Sequence, residues 1–276
     1  MRRPQRAQQK LWDEYVWGRQ SLEQLAKSEG CSTKWAKRHL DAVKPRFPSV
    51  VPQPTVIGTD TTYWGRGYGV CVFRSPTLKR NLCWAEVEDE TAATCAQSLH
   101  GLISRGWTIT AAVIDGRRGI AKVFEAQGIP VQFCQFHQMR TVTKYLTRKP
   151  KTEAGRDLRR LVCALHHITH TSFTVELQEW HKRWVSIIDE KTPACNKRGW
   201  NYTHQRLRSA YRSLTTNLPY LFTYQKYPEL NIPNTTNFLD GMFSQLKNKL
   251  AVHRGLRRDR RFKMISAILG GREKTA

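Results

Sequence analysis

Two aspartates stand at the polar ends of strongly apolar runs of the sequence. Asp60 ends the run TVIGTD and Asp115 ends the run ITAAVID, and both runs are typical of buried β-strands. If the two strands are neighbours in one sheet, both carboxylates emerge side by side and need a cation, and Mg²⁺ prefers such oxygen ligands. Each residue alone also fits a turn, since Asp115-Gly116 is a common turn dipeptide. The two together favour a metal site.

A third acidic ligand is expected from a later helix, and Asp240 is the candidate. Thr235 or Thr236 is suited to cap a helix within NTTNFLDGMFSQLK, which places Asp240 in the opening turns of that helix. Helical spacing puts Asp240 on one face with Ser244 and Lys247. The alternative is that Asp240 only interacts favourably with the helix dipole.

The segment CQFHQMR contains a C-x2-H pattern, Cys134 and His137, at the end of the apolar run IPVQFC. A structural zinc site needs four ligands, and these are two. His166, His167 and His170 lie in a basic helical run that is more typical of solvated or phosphate-facing side chains. We therefore predict that Cys134 packs in the core at the strand end, that His137 contacts a phosphate, and that no zinc is bound.

The runs around these residues predict an α/β fold. Residues 55–64, 66–75 and 80–88 are rich in β-branched and aromatic residues and are separated by turn signals, which indicates an antiparallel meander. A helix, a strand, a second helix and another strand follow over residues 91–134. The order β-β-β-α-β-α-β is that of the RNase H-like mixed sheet, in which the first and fourth strands are neighbours.

The remaining chain divides by composition. Residues 55–144 form the first part of the predicted RNase H-like core, and residues 145–232 carry basic helical patterns that predict an all-helical insertion. Residues 233–276 return to the core as C-terminal helices. Ahead of the core, residues 44–54 hold four prolines without a period, and we predict a stiff linker at 48–54.

An all-α helix-turn-helix domain is predicted over residues 1–47. Ser21 and Gln24 form a capping-box pattern for one helix, Gly30 ends that helix, and Ser32 caps the next. The second helix offers basic side chains for a DNA major groove, namely Lys34, Lys37 and Arg38. The alternative is an ordinary helical hairpin.

The charge of the chain indicates its class of partner. Lys and Arg total 46 against 22 acidic residues, which gives a net charge of +24, and such an excess favours nucleic acid. A ribosomal or membrane-surface role would also fit charge alone. No apolar run approaches ~18 residues, so no membrane span is expected. Seven dispersed cysteines without a CxxC pair indicate reduced thiols, and we expect a cytoplasmic, nucleoid-associated protein.

Taken together, the ordered motifs resemble the DDE transposases of the Mutator-like superfamily of bacterial insertion sequences. The resemblance spans about residues 55 to 260. It includes Asp60, Asp115-Gly116 followed by a helix, the C-x2-H pattern, and Asn234-Thr235-Thr236-Asn237 ahead of Asp240. The third acid of that family is commonly Glu, so the Asp at position 240 is one methylene shorter.

The resemblance implies a transposase that binds element ends and uses Asp60, Asp115 and Asp240 to hold two Mg²⁺ or Mn²⁺ ions. Those ions would serve hydrolysis at the element end and strand transfer into target DNA. The expected partners are double-stranded DNA and a second copy of the chain, because two element ends must be joined. Phosphates would be held by basic residues, namely Arg117, Arg118, His137, Arg140, Lys144, Lys247, Lys249, His253 and Arg254.

Two other classes stay open at this point. One is another RNase H-like nuclease, such as a resolvase or integrase, which would cleave without strand transfer. The other is a domesticated, catalytically weak or inactive transposase that only binds DNA. The short side chain of Asp240 is compatible with this alternative.

Overall fold

The computed structural model of the chain describes residues 3–45, 47, 49–195 and 197–272. Residues 1–2, 46, 48, 196 and 273–276 of the predicted segments therefore lie outside the described part.

A five-stranded mixed sheet forms the centre of the molecule. The strands follow the order β3-β2-β1-β4-β5. β1 pairs antiparallel with β2, and β2 pairs antiparallel with β3, whereas β1–β4 and β4–β5 are parallel pairs. The predicted meander and the predicted neighbourhood of the first and fourth strands are thus both present. The strands are β1 Thr55–Tyr63, β2 Gly69–Ser75, β3 Arg80–Val87, β4 Ile109–Ile114 and β5 Val131–Phe133.

Helices pack on both faces of the sheet. Their starts follow local capping chemistry, because Ser21, Ser32, Thr91 and Thr169 each accept a hydrogen bond from a backbone N–H of the first turn. The helices are α1 Arg3–Val16, α2 Leu22–Ser28, α3 Thr33–Ala42, α4 Ala92–Ser104, α5 Arg118–Glu125, α6 Gln135–Leu146, α7 Glu153–Cys163, α8 His170–Asp189, α9 Gln205–Leu221, α10 Thr223–Lys226, α11 Asn237–Leu250 and α12 Arg258–Gly270.

The two faces of the sheet are covered by different helices. Ile57, Phe73 and Ile114 point to the face that packs against α4 to α9 and form one large apolar core with them. Val70 and Val72 point to the opposite face, where they share a second core with α1 to α3, α11 and α12. This alternation follows from the two-residue period of a strand.

The predicted all-helical character of residues 145–232 is wrong. A short antiparallel hairpin, β6 Lys191–Pro193 and β7 Trp200–Tyr202, follows α8. Its three-residue strands are largely exposed, so no apolar alternation marks them in the sequence. The helices of this region are not separate from the sheet either, because Phe173 and Leu214 belong to the same core as Ile57.

The first three helices form the predicted helix-turn-helix arrangement and pack on the end of the chain. Ser21 and Gln24 make the predicted capping box, and Gly30 takes a φ of +59° in the turn before α3. On the C-terminal side of the interface, Arg260 of α12 binds both carboxylate oxygens of Asp41 at 2.7 and 2.5 Å. The segments predicted as first and last domains therefore share one apolar core.

The segment between α3 and β1 has neither helix nor strand among its described residues, as the predicted linker requires. It is anchored rather than free, because the Phe47 ring packs edge-on against Trp84 with centroids 5.6 Å apart. In the described part of the chain, no helix combines the length and apolar character needed to cross a membrane.

Candidate active site

Asp60 and Asp115 lie on neighbouring parallel strands at matching heights. In the β1–β4 register Val56 faces Ala111 and Gly58 faces Val113, and continuing that register by two residues aligns Asp60 with Asp115. Successive even positions of β1 point to one face, as do successive odd positions of β4. Both carboxylates therefore leave the sheet on the same face.

The environment of Asp60 opposes its ionisation. Its Oδ1 accepts a hydrogen bond from the backbone N–H of Thr61 at 2.7 Å. Burial raises the pKa of Asp60 to about 6, the charges of Asp115 and Asp240 add to the rise, and Thr61 and His137 oppose it. Both other predicted acids thus lie within electrostatic reach of Asp60.

Asp240 reaches this region because α11 lies closely on β1. The helix begins after Thr236, and Asp240 is exposed in its first turn, as predicted. The ring of Phe238 packs against Gly58 so closely that a Cβ at position 58 would collide with it. A glycine two residues before Asp60 therefore permits the approach of the helix that carries Asp240.

The three carboxylates do not form a closed cage. Among the described residues, no group of three His, Cys, Asp or Glu side chains is placed to hold a metal ion. Asp115 is also engaged in the turn that its sequence suggests, since its Oδ1 accepts from the backbone N–H of Arg117 at 3.2 Å. The turn interpretation of Asp115 is therefore confirmed, and its metal-site interpretation stays a prediction.

Sequence reasoning missed a fourth acid, Glu90, which precedes α4. Burial and the charge of Asp115 raise the pKa of Glu90 to about 7, although Arg117 opposes the rise. The Arg117 guanidinium lies between the two acids, 3.4 Å from Glu90 Oε2 and 3.4 Å from Asp115 Oδ2. The sequence signal was weak, because Glu90 stands in a polar loop next to the N-cap residue Thr91 and no spacing rule pairs it with Asp115.

Hydrogen bonds connect the C-x2-H pattern at the start of α6 with the threonines before α11, and this connection forms a joint between the two helices. Cys134 is buried at the strand end, as predicted, and its Sγ accepts hydrogen bonds from both the N–H and the hydroxyl of Thr236 at 3.3 Å. Burial raises the pKa of Cys134, but hydrogen bonds from His137 and Thr236 outweigh it and hold the pKa below its usual value. Thr236 therefore occupies the predicted cap position of α11 but bonds to Cys134 instead of its own helix.

A backbone contact reinforces this joint between α6 and α11. The N–H of Gln135 donates to the carbonyl of Asn234 at 2.9 Å, and the Asn234 amide donates to Gln135 Oε1 at 3.1 Å. His137 is half-buried one turn into α6, and the bond to Cys134 raises its pKa, as do the charges of Asp60 and Asp115. The predicted motif residues are thus directly bonded to one another.

Most predicted phosphate contacts are accessible, with one exception. His253 is 8% exposed and its ring lies 4.2 Å from that of Tyr15, so the placement contradicts the predicted phosphate contact. Lys249 is half-buried and lies over the Trp17 ring. His137 is also half-buried, and Arg117 is exposed but paired with Glu90 and Asp115. The other basic candidates are exposed, namely Lys34, Lys37, Arg38, Arg118, Arg140, Lys144, Lys247 and Arg254.

Comparisons with known proteins leave the family open. No protein-family model matches the sequence, and no curated protein matches it. A solved structure of the simian T-cell lymphotropic virus intasome in complex with PP2A regulatory subunit B56 gamma is similar at a TM-score of 0.25 and 12% sequence identity. That match covers 72% of this chain and 74% of the other. A likeness of this size supports no inference about family or function.

Proposed function

We propose that this protein is an insertion-sequence transposase of the DDE type, with an RNase H-like domain that cleaves element ends and joins them to target DNA. The observation that carries the proposal is that Asp115 and Asp240 both lie within electrostatic reach of Asp60. Two of these acids come from adjacent parallel strands and the third from a helix near the other end of the chain.

The strand order supports the finer fold assignment. An antiparallel meander followed by two parallel strands, in the order β3-β2-β1-β4-β5, is the arrangement that the RNase H-like hypothesis requires. The Mutator-like assignment rests on the ordered motifs. The hydrogen bonds from Thr236 to Cys134 connect two of these motifs directly.

Divalent ions fit the chemistry of the acidic residues. Asp60 and Glu90 are half-buried acids with raised pKa values beside Asp115, and a cation would offset this repulsion. Mg²⁺ is commonly held by one or two carboxylates, water and substrate phosphates rather than by a complete protein cage. Asp60 and Asp115 would hold the ions, with Asp240 closing the site when DNA is bound.

Bound divalent ions would supply activation of water, and later of a DNA 3′-hydroxyl, and stabilisation of the leaving oxygen. The side chains of this chain position the reactants. Asp60 and Asp115 fix the point of attack at the sheet, while His137 and Arg140 at the start of α6 hold phosphate oxygens beside it. Arg117 must release Asp115 as DNA and ions enter.

Duplex DNA is the proposed partner, with α3 as the reading helix. Lys34, Lys37 and Arg38 are exposed on α3, and the chain carries a net charge of +24. A dimer is proposed because joining two ends requires two sites, and a place on the nucleoid follows from DNA binding.

The test is a cleavage and strand-transfer assay on the DNA that flanks the gene, with Mg²⁺ or Mn²⁺. Asp60→Asn and Asp115→Asn should each abolish cleavage while DNA binding persists. Asp259→Asn, a substitution of an exposed acid on α12, serves as the matched control and should cleave as the original protein does. Cleavage by either site variant would overturn the proposed function.

A second candidate function is a DNA-binding protein that does not cut. It is favoured by the absence of a three-ligand metal group among the described residues and by the short side chain of Asp240. Asp240→Glu separates the two, because a transposase should keep or gain activity when the reach of this ligand is restored. A folded variant without cleavage, in either metal, supports the non-cutting alternative.

A further inference from the structure

A basic cleft of about 380 Å³ lies on the flank of α11 beside the acidic residues. The β2–β3 turn forms one wall, and α11 and α12 form the other. Four basic side chains line it and no carboxylate does, while its floor is apolar. The residues that matter here are Arg74, Lys79, Arg80 and Lys249 on the walls and Phe238 and Met242 on the floor.

The positive charge of the cleft is not neutralised within the described chain. Arg74 donates to Asn81 Oδ1 at 2.9 Å, but its Nε is buried without a hydrogen-bond partner. Burial and the charge of Arg80 lower the pKa of Arg74, so these guanidinium groups repel each other. None of the ion pairs between described residues involves Lys79 or Arg80. An anion in the cleft would relieve the repulsion between the two guanidinium groups.

The cleft is connected to the candidate active site through Phe238. This ring forms part of the cleft floor and also packs on Gly58, two residues before Asp60. Phe238 itself precedes Asp240 by two residues on α11. The Phe238 ring therefore lies between the cleft and β1, the strand that carries Asp60.

We propose that this cleft binds one nucleotide of a single-stranded DNA segment. Arg74 and Arg80 hold its phosphate, and the unstacked base lies against Phe238 and Met242. The volume of the cleft suits a single nucleotide. The two guanidinium groups match the phosphate of such a nucleotide, and the apolar floor matches the face of its unstacked base. The inference rests on the proposed function only in taking DNA as the source of the phosphate.

The first test measures binding of labelled oligonucleotides of about ten nucleotides to the full chain in EDTA, as a single strand and as a duplex. Arg80→Gln should weaken single-strand binding by about five- to tenfold and duplex binding by less than about twofold. Lys122→Gln, an exposed residue of α5 on the opposite face of the sheet, removes the same charge and should change neither. Equal losses in the two variants, or equal losses on single strand and duplex, would overturn the proposal.

A second variant tests the cleft by filling it. A side chain at Gly241 would meet nothing within 4 Å of its Cβ, and Gly241 lines the cleft, so Gly241→Leu should fold normally and occupy the space. Single-strand binding should fall by about tenfold, and inorganic phosphate should no longer compete with the remainder. Unchanged binding in this folded variant, or undiminished competition by phosphate, contradicts the proposal.

The two proposals fail separately. Binding in EDTA does not need the acidic residues, so Asp60→Asn should keep single-strand binding at the cleft. A protein that binds single strands at the cleft but never cleaves retains this inference and loses the transposase. A protein that cleaves DNA but shows no effect of Arg80→Gln or Gly241→Leu retains the proposed transposase function and loses this inference.

Discussion

The acids of the candidate site are costly to keep ionised in the folded protein. Glu90 and Asp60 both have raised pKa values because they are removed from water next to Asp115. Arg117 compensates part of this cost by bridging Glu90 and Asp115. The protein with these charged acids is less stable than one with neutral residues in their places would be. Such a cost is typical of residues that are kept for function.

Glu90→Gln should therefore stabilise the protein at alkaline pH. A folded-state pKa of about 7 means that the original residue is favourable only below its unfolded pKa, and that this contribution is lost as the pH rises through 7. We expect a gain of about 2 kcal/mol at pH 8 and almost none at pH 4.5. Urea unfolding at a series of pH values measures it, and a variant that is less stable at pH 8 would contradict the assignment.

His253 should produce the opposite pH dependence. Burial and the charge of Arg19 lower its pKa to about 4, so its neutral form is favoured in the folded state. Its contribution is complete above the unfolded pKa of about 6.5 and is lost as the pH falls towards 4. Relative to His253→Phe, the original protein should lose about 2 kcal/mol between pH 7 and pH 4.

Comparing the two proteins at each pH cancels the contributions of Asp60 and Glu90, which have the opposite sign. A stability difference that does not change with pH would show that His253 is solvated, and the phosphate contact would then be worth testing again.

Part of the candidate site could be predicted from the sequence. Asp60 and Asp115 follow apolar runs whose strand type and neighbourhood are recognisable, and Asp240 follows threonines that mark the start of a helix. Glu90 and its contact with Arg117 could not be predicted, because the contact depends on where the loop before α4 meets the turn after β4. Hydrophobic periodicity in the sequence gives no signal for such a contact between loops. The burial of His253 was missed for the same reason, since its partner Tyr15 is far away in the sequence.

The joint between α6 and α11 positions Asp240. Thr236→Val removes the hydroxyl that donates to Cys134 Sγ, and we expect a loss of about 1 kcal/mol in stability. Cys134→Ala should cost more, because it also leaves a cavity. The double variant should lose less than the sum of the two single losses, by about 0.5 to 1.5 kcal/mol, because both act on one contact. Strictly additive losses from chemical denaturation would show that the bond contributes nothing.

The elements themselves were largely predictable, because apolar alternation and capping residues act locally. The strands of the large sheet, the capping box of α2 and the start of α3 were predicted on such signals. The β6–β7 hairpin was not, because its strands are exposed and only three residues long. The interpretation of Thr236 as a side-chain cap was also wrong, because a tertiary bond to Cys134 replaces the local one.

The whole molecule is held together by contacts between its two ends. The apolar residues of α1 to α3 pack on Leu239, Phe243 and Met264 of the C-terminal helices. From sequence alone, removal of residues 1–47 should abolish end-specific DNA binding and spare the metal site. The structure adds a cost in stability, since the deletion would expose those three side chains. We expect the shortened chain to melt at least about 5 °C lower, and an unchanged melting temperature in calorimetry would contradict the shared core.

The proposed DNA-reading role of α3 is therefore better tested by surface substitutions. Replacing Lys34, Lys37 and Arg38 together by Gln should weaken duplex binding and reduce the slope of log K against log salt by about 2 to 3 if each contacts a phosphate. A control with the same loss of charge replaces three exposed lysines elsewhere, Lys122, Lys149 and Lys151, and should keep the slope. Equal slopes in both variants would remove α3 from the interface.

The bond between Asp41 and Arg260 spans 219 positions of the chain. During synthesis the first three helices emerge from the ribosome well before α12, whose side chains share their apolar core. A product that terminates before α12 therefore lacks the packing that stabilises its N-terminal helices.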